Sequence, residues 1–360
     1  MIALIIFALV LSLLIIVHEF GHFIMAKKNK VRVEQFSLGF GPEIFKKKKG
    51  DTEYSVSLLP LGGFVKMSGD NLTEYKGQEY EYLSKSCAQR FEIIFFGPLL
   101  NYLLGFLLFW FIFFAGYPSL TTKVGGLVDG YGAQEAGLKA GDRIISVGSA
   151  NVTSWEELQK EVQKNKTSEK VELKVLRKDT QLTFGVRIKE KAFDDRPGVK
   201  RSIGIIGITP SDEVIQTRYG FFEAAFLGAK KTVDLTFLTF NGLWQLITGR
   251  ISMRDSMTGP LGIFFITSSV ASMGIIALLH LVAVLSVSLA IFNLLPLPVL
   301  DGGHIFLLAL EKIRKRALSI KAEKIVNNIG FTMIISLAVF VTYNDILRVY
   351  GDKISKFFGH

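Results

Sequence analysis

Five consecutive residues carry the clearest chemistry in this chain, the run His18-Glu19-Phe20-Gly21-His22. Residues four apart lie on one face of a helix, so the imidazoles of His18 and His22 could bind a single Zn²⁺. The carboxylate of Glu19 lies next to this pair and is suited to act as a general base on water. This pattern is typical of metalloproteases and predicts a hydrolase that cleaves peptide bonds.

The stretch before this motif is long and apolar. Residues 2–17 contain no charge and no proline, and the first lysines follow at Lys27 and Lys28. We expect a membrane span rather than a signal peptide, because the basic segment and the small-residue cleavage site of a signal peptide are missing. Ionisable side chains at membrane depth are costly and usually functional. The sequence therefore predicts a membrane-embedded metal site.

A second segment offers the third ligand that catalytic zinc usually needs. Between Asn293 and His304, two prolines exclude a regular helix and a Gly-Gly pair permits tight backbone geometry. Irregular backbone at membrane depth is tolerated where it is buried or lines a wet cavity. We expect Asp301 as the third ligand, with His304 as the alternative. His280 lies about 30 Å from Asp301 along the helix, at 1.5 Å per residue, and is expected to be a packed or interfacial histidine.

The composition is that of a polytopic membrane protein. Of the 360 residues, 49% are hydrophobic and 21% are charged. The net charge of +10 does not indicate nucleic-acid binding, because the basic runs flank apolar segments. The single cysteine, Cys87, excludes an intramolecular disulfide.

The predicted fold is a polytopic α-helical membrane protein with about four transmembrane helices, a membrane-associated cytoplasmic β-hairpin region and one extracytoplasmic PDZ-like α+β domain. In chain order, we predict a first transmembrane helix at 1–26, a cytoplasmic loop with the β-hairpin at 27–92, a second transmembrane helix at 93–117, the PDZ-like domain at 120–192, an extracytoplasmic linker with an amphipathic membrane-surface helix at 193–274, a third transmembrane helix at 275–303, a cytoplasmic basic loop at 304–328, a fourth transmembrane helix at 329–350 and an extracytoplasmic tail at 351–360.

The orientation follows from the basic loops. Lysines and arginines are dense between spans one and two and between spans three and four, so both loops are assigned to the cytoplasm. Both termini and the PDZ-like domain then face outward. With this topology, His18 and Asp301 reach a similar depth near the cytoplasmic face.

A fifth apolar stretch, Phe221–Ile247, carries Lys230, Lys231 and Asp234 near its middle. Charges at the centre of a span are costly, so we expect an amphipathic helix that lies on the extracytoplasmic surface of the membrane. One more crossing would also place Asp301 on the opposite side of the membrane from His18.

Two segments outside the predicted spans could recognise peptides. The run from Ala136 to Val147 resembles the PDZ signature, and Ser154 with Glu157 forms a capping box for a following helix. A PDZ fold binds a peptide as an added strand, and a plain spacer is the alternative reading. The stretches Gln35–Phe45 and Tyr54–Met67 predict a hairpin. Its edge could hold an extended substrate near the zinc, or it could simply lie on the membrane.

The chain resembles the site-2 protease family (M50) of intramembrane zinc metalloproteases, most closely its bacterial RseP/RasP-like branch. The motifs that carry the resemblance are His18 to His22, Gly97-Pro98-Leu-Leu-Asn101, Phe36 to Gly41, Leu59 to Met67, Thr258 to Gly262, and Asn293 to Gly303. The resemblance implies His18, His22 and Asp301 as zinc ligands and Glu19 as base. It also implies Asn293 as a helper that positions substrate or stabilises the oxyanion. Enteric RseP proteins carry two PDZ modules, whereas this chain has room for one.

These features predict an intramembrane zinc metalloprotease in the bacterial cytoplasmic (inner) membrane. We expect it to cleave the transmembrane segments of single-span proteins, such as anti-sigma factors or signal-peptide remnants, in regulated intramembrane proteolysis. The expected partners are these substrates, the lipid bilayer and a peptide ligand of the PDZ-like domain, with no nucleic acid. Two alternatives are a PDZ-bearing scaffold or receptor with a structural metal, and a metal transporter.

Overall fold

The computed structural model describes residues 2–165, 170–196, 199–316 and 319–358. The chain forms two compact units: Met1–Ile112 with Phe222–His360, which we call the helical unit, and Phe113–Phe221, which we call the α+β unit. The helices are α1 (Ile2–Lys28), α2 (Cys87–Ala115), α3 (Gly132–Glu135), α4 (Trp155–Lys164), α5 (Phe221–Ile247), α6 (Met253–Ser256), α7 (Pro260–Ser272), α8 (Ile275–Asn293), α9 (Asp301–Arg314) and α10 (Ile320–Phe358). The strands are β1 (Val33–Lys49), β2 (Thr52–Met67), β3 (Tyr117–Leu120), β4 (Val124–Leu127), β5 (Arg143–Val147), β6 (Ala150–Asn151), β7 (Lys170–Arg177), β8 (Thr180–Arg187), β9 (Lys189–Arg196), β10 (Val199–Ile205), β11 (Ile208–Pro210) and β12 (Val214–Thr217).

Four helices among the described residues are long and apolar enough to cross a membrane. They are Ile2–Lys28, Cys87–Ala115, Ile275–Asn293 and Lys324–Arg348. The expectation of a polytopic helical membrane protein with a β region is therefore confirmed at this level.

The helix bounds differ most from the predicted spans at α2, α8 and α10. Helix α10 runs from Ile320 to Phe358 and so extends beyond the predicted span 329–350 at both ends, into the predicted tail. Helix α2 begins at Cys87 rather than at residue 93, because the charge of Arg90 is paired inside the fold. Helix α8 ends at Asn293, and Asp301 begins the separate helix α9. Much of the predicted basic loop at 304–328 is consequently helical.

Helix α5 has the predicted bounds, Phe221–Ile247, and packs beside α2. A Cβ atom at Gly228 would lie 2.8 Å from the backbone nitrogen of Trp110, and the hydroxyls of Tyr102 and Thr236 are 3.0 Å apart. The two helices are therefore antiparallel here, and α5 lies along a candidate span. The position of α5 relative to the bilayer stays a prediction.

Strands β1 and β2 form a hairpin that folds back on itself. Residues 35–38 pair with residues 63–66 on one side and with residues 53–56 on the other. Gly39 and Gly41, with φ of +88° and +89°, allow the bend in β1 that this arrangement requires. The result is a small sheet with residues 63–66 at one edge.

The α+β unit has its own core around the four-stranded sheet β6-β5-β7-β8. The predicted capping box is present: Glu157 N–H donates to Ser154 Oγ at 3.3 Å, and Ser154 N–H donates to the Glu157 carboxylate at 3.4 Å. The unit also includes strands in the predicted linker, since β12 pairs with β3 and β11 pairs with β4. Its buried apolar side chains include those of Val124, Ile144, Val147, Leu158, Leu173, Val175 and Val186.

Candidate metal centre

Three predicted ligands from two distant stretches of the chain meet at one point. His18 Nε2 lies 3.2 Å from His22 Nε2 and 3.0 Å from Asp301 Oδ2. His22 Nε2 lies 3.5 Å from Asp301 Oδ1. Among the described residues, they form the only group of three or more His, Cys, Asp or Glu side chains placed to hold a metal.

The separations of these atoms fit a zinc ion. Tetrahedral Zn²⁺ with ligand bonds of about 2.0–2.1 Å places its ligand atoms about 3.3–3.4 Å apart. The three separations, 3.2, 3.0 and 3.5 Å, bracket this value. Two imidazoles and one carboxylate leave a fourth position for water, which is typical of catalytic rather than structural zinc. The residues present therefore fit the metal.

Two glycines allow α1 and α2 to approach closely at the two histidines. A Cβ atom on Gly97 would lie 2.4 Å from His22 Cε1 and Nε2, and 3.0 Å from His18 Cε1. A Cβ atom on Gly21 would lie 2.2 Å from the carbonyl oxygen of Phe96. Any larger residue at either position would push the imidazoles or the helices apart.

The same contact fixes the orientation of His22. Its Nδ1 lies 2.9 Å from the carbonyl oxygen of Ile93 on α2, so the ring donates Nδ1–H to this acceptor. The lone pair of Nε2 is then free to face a metal. Outer hydrogen bonds of this kind hold a ligand in its binding tautomer.

Asp301 reaches the histidines because the chain reverses before it. After α8, the backbone passes through Val299, whose φ is +75°, and folds back on the start of α9. A Cβ atom on Gly302 would lie 2.3 Å from the carbonyl oxygens of Leu294 and Leu295. The glycines after Asp301 are therefore needed for this close contact of loop and helix.

The other predicted residues surround the ligands. Asn293 Nδ2 lies 3.5 Å from His18 Nδ1. Glu19 accepts a hydrogen bond from the Val65 backbone and interacts electrostatically with His22 and Asp301. His304 is exposed and lines the adjacent pocket, outside the ligand group.

His280 is away from the metal centre. Its ring packs edge-on against Phe109, with ring centroids 5.4 Å apart. This is the packed environment expected for His280 from the sequence.

A pocket of about 520 Å³ opens from this centre. It extends past Asp70 and Tyr82 to Arg90 and Glu311. Burial raises the pKa of Asp70 and that of Tyr82. For Asp70, the hydrogen bond from Met67 N–H at 3.2 Å opposes the rise only in part. Residues that line the pocket and that sequence reasoning did not identify are Asp70, Leu72, Tyr82, Leu83, Arg90, Ile94, Leu307, Leu308 and Glu311.

Comparison with known proteins agrees with this geometry. The family model described as Peptidase family M50 matches residues 6–337. This chain belongs to peptidase family M50. The match covers both halves of the metal centre, so the expected resemblance to this family is confirmed.

Individual relatives of this M50 peptidase match it over most of its length. A Clostridium acetobutylicum protein named as a zinc metalloprotease is 33% identical over 339 residues, which are 94% of this chain and 96% of the relative. An Agrobacterium fabrum protein named in the same way is 34% identical over 363 residues, 96% of each chain. The regulator of sigma-W protease RasP of Bacillus subtilis is 29% identical over 424 residues, 96% of this chain and 98% of the relative.

These relatives place the M50 peptidase in the RseP/RasP-like branch. The chain is a zinc metalloendopeptidase of the site-2 protease type, and its cofactor is Zn²⁺. The alternatives of a scaffold and of a metal transporter are thereby set aside.

Proposed function

We propose that this M50 peptidase cleaves the transmembrane segments of single-span membrane proteins, as a step in regulated intramembrane proteolysis. The observation that carries the proposal is the meeting of Asp301 with His18 and His22. The two histidines lie within a candidate span, and Asp301 begins α9, eight residues after another candidate span ends at Asn293. Anti-sigma factors are the substrates that we favour, because RasP is named as a regulator of sigma-W. Signal-peptide remnants are a second substrate class.

The residues divide the chemistry among them. His18, His22 and Asp301 hold Zn²⁺, which when bound supplies an acidic water and polarises the substrate carbonyl. Glu19 accepts the proton of the attacking water and later donates it to the leaving amine. Asn293, at the end of α8, offers its amide N–H to the substrate carbonyl as charge develops on the oxygen.

The edge strand at residues 63–66 binds the substrate beside the metal centre. Its inner side pairs with residues 35–38, and Phe64 and Val65 line the pocket beside Glu19. A transmembrane helix has all its amides bonded internally and must unwind before its carbonyl can be attacked. An unwound segment can then pair with the outer side of this edge, apart from the Val65 N–H, which donates to Glu19.

The catalytic assignment is tested with purified protein in proteoliposomes and a single-span substrate. Replacing Glu19 by Gln is expected to reduce cleavage by at least about 10²–10⁴-fold, because the base is lost. Zinc content should remain that of the unmodified protein. Normal turnover by the Gln variant would exclude Glu19 as the base, and full cleavage in the presence of a strong chelator would exclude the metal mechanism.

Strand pairing is tested from the substrate side. Synthetic transmembrane peptides are prepared with one backbone N-methyl group moved residue by residue across the cleavage region. Pairing with an edge strand predicts that KM rises at every second position, because alternate amides face the edge. A dependence that repeats every three to four residues, or no dependence, would exclude this mode of capture.

The α+β unit is proposed to be an extracytoplasmic PDZ-like domain that binds a peptide. Within it, the Gln163 side chain donates to the Gly204 carbonyl at 2.8 Å and accepts from Gly204 N–H at 3.1 Å. These bonds hold α4 beside the end of β10. Titration of the full chain with peptides that have a free or an amidated carboxyl end tests this proposal, and equal absence of binding favours a spacer.

The proposed location is the bacterial cytoplasmic membrane, with both termini outside. Basic residues between the spans support this orientation. Cys87 is the only cysteine of the chain and serves as a natural probe. In oriented vesicles, a membrane-impermeant thiol reagent should modify Cys87 only from the cytoplasmic face. Modification from the opposite face would reverse the topology.

A further inference from the structure

The pocket that begins at the metal centre ends at a buried ion pair. Arg90 on α2 and Glu311 on α9 are joined by a contact of 2.5 Å between Nη2 and Oε1. The Arg90 side chain is only 9% exposed, and that of Glu311 is 23% exposed. Cys87 completes the cluster, with its sulfur 3.5 Å from Arg90 Nη2 and 3.8 Å from Glu311 Oε1.

Both members of the pair lie on helix faces that lead to the zinc ligands. On α9, the pocket is lined by Asp301, His304, Leu308 and Glu311, which recur every three to four residues and so share one face. Glu311 is therefore about 15 Å from Asp301 along the helix, at 1.5 Å per residue. The metal ligand and the ion pair are at opposite ends of one rigid element.

Helix α2 is arranged in the same way. Arg90 and Ile94 line the pocket, and Gly97, on the same face, contacts the ring of His22. The pocket is thus bordered by α2 and α9. Near the metal, the two helices are positioned by the contacts of His22 and Asp301. At the far end they are joined by Arg90 and Glu311.

A buried ion pair is weak evidence for stability, because desolvation offsets much of the attraction. Its more specific effect is to fix geometry, since either charge alone would be left buried without a partner. Arg90 Nε is buried and has no hydrogen-bond partner among the described residues.

We propose that Arg90 and Glu311 form a latch that sets the spacing of α2 and α9, holds Asp301 against His18 and His22, and closes the far end of the active-site pocket. The two residues act as positioning residues for the zinc ligands. This inference rests on the proposed function only for the identity of the substrate, because the effect on the metal is independent of any substrate.

The test compares Glu311→Gln, which removes the charge but keeps the shape, with the double charge reversal Arg90→Glu/Glu311→Arg. Three quantities are measured on the full chain: cleavage, the rate of zinc loss to a chelator, and the rate at which maleimide modifies Cys87. Cys87 rates are compared at one fixed neutral pH with a small and a bulky maleimide, because a change in access alters the ratio of the two rates.

The Glu311→Gln variant should lose zinc about tenfold faster, in the range known for residues that orient metal ligands, and should show a similar rise in Cys87 modification and a similar fall in kcat/KM. The double reversal should return all three quantities toward those of the unmodified protein. Glu135→Gln is the matched control, because it removes the charge of an exposed pair with Lys189 in the α+β unit. It should change none of the three.

Unchanged zinc loss and Cys87 modification in Glu311→Gln would overturn the latch, whether or not the double reversal accumulates in the membrane. A folded double reversal as impaired as the single variant would also overturn it. Zinc loss and Cys87 modification are measured in a Glu19→Gln background as well. A failure to find any cleaved substrate would therefore count against the proposed function and leave the latch decided by the other two readouts.

Discussion

Replacing Gly97 by Ala is expected to displace a zinc ligand by a single methyl group. The new Cβ would lie 2.4 Å from His22 Cε1 and Nε2. Carbon atoms in contact prefer about 3.5–4.0 Å, so the ring must move by roughly 1 Å. The movement is opposed by the 2.9 Å bond from His22 Nδ1 to Ile93, and the helix axis cannot yield easily because Gly21 already abuts Phe96.

The magnitude follows from this displacement. A shift of about 1 Å in a catalytic group costs on the order of 10²-fold in rate, which corresponds to about 2.7 kcal/mol of transition-state stabilisation. Zinc affinity should fall by about 10–100-fold, because the outer bond that orients His22 is strained or lost. Helix propensity acts in the opposite direction, since Ala is favoured over Gly in a helix interior by about 1 kcal/mol.

The assay measures kcat/KM in proteoliposomes together with zinc affinity by chelator competition. Gly105→Ala is the matched control on the same helix, because its Cβ would meet Val287 Cγ2 at 2.4 Å, remote from the metal. The control should lose stability from the clash but keep its zinc. If Gly97→Ala bound zinc and cleaved substrate as well as the unmodified chain, the close approach of α2 to His22 would be refuted.

Three further predictions concern other parts of the fold. Asp345, 1% exposed, accepts N–H bonds from Gly262 at 2.8 Å and from Gly259 at 3.2 Å, so Asp345→Ala should lower stability by about 1–3 kcal/mol, measured by thermal unfolding in detergent. Gly303→Ala should weaken zinc binding, measured by chelator competition, because its Cβ would lie 2.1 Å from the Leu297 carbonyl oxygen in the loop before Asp301. Burial alone would raise the pKa of Asp142, but the hydrogen bonds from Arg177 and from Lys139 N–H, together with the charges of both residues, outweigh burial and lower this pKa below its ordinary 3.8. The carboxylate therefore stabilises the α+β unit at neutral pH, and the stabilisation is lost as the pH falls below that value. Proteolysis of the unit at graded pH should show this loss, and Asp142→Asn should be susceptible at neutral pH already.

Each of these predictions has a contradicting outcome. If the Asp345→Ala variant unfolded at the same temperature as the unmodified protein, the bonds from Gly259 and Gly262 to Asp345 would not be needed to hold the start of α7. Unchanged zinc affinity in Gly303→Ala would mean that the loop can move without Asp301. If the Asp142→Asn variant resisted proteolysis at neutral pH, the charge of Asp142 would not contribute to the stability of the α+β unit.

The sequence was most informative about the metal ligands. The spacing of His18 and His22 on one helix face predicts two ligands to one metal ion without any knowledge of the tertiary structure. The sequence favoured Asp301 as the third ligand but left His304 as an alternative, because both adjoin the same glycines. The choice depends on where α9 begins, and a helix that starts at Asp301 turns His304 toward the open pocket.

Other features depend on contacts between distant residues and carry no local signal. The first turns of α2 lie outside the predicted span, which begins at residue 93. They carry Arg90, whose charge is paired with Glu311, more than two hundred positions away. The strands β11 and β12 fall in a segment read as a linker, because they gain their partners β4 and β3 only in the folded unit. Helix α5 lies beside α2 through Gly228, a contact that hydropathy cannot reveal.

The most direct test of the account is the zinc content of four purified single variants: His18→Ala, His22→Ala, Asp301→Ala and His304→Ala. The account predicts one zinc per chain in the unmodified protein and in His304→Ala. It predicts a marked loss of zinc in the other three, since each removes one of only three protein ligands. Full zinc content in Asp301→Ala, or its loss in His304→Ala, would contradict the metal centre described above.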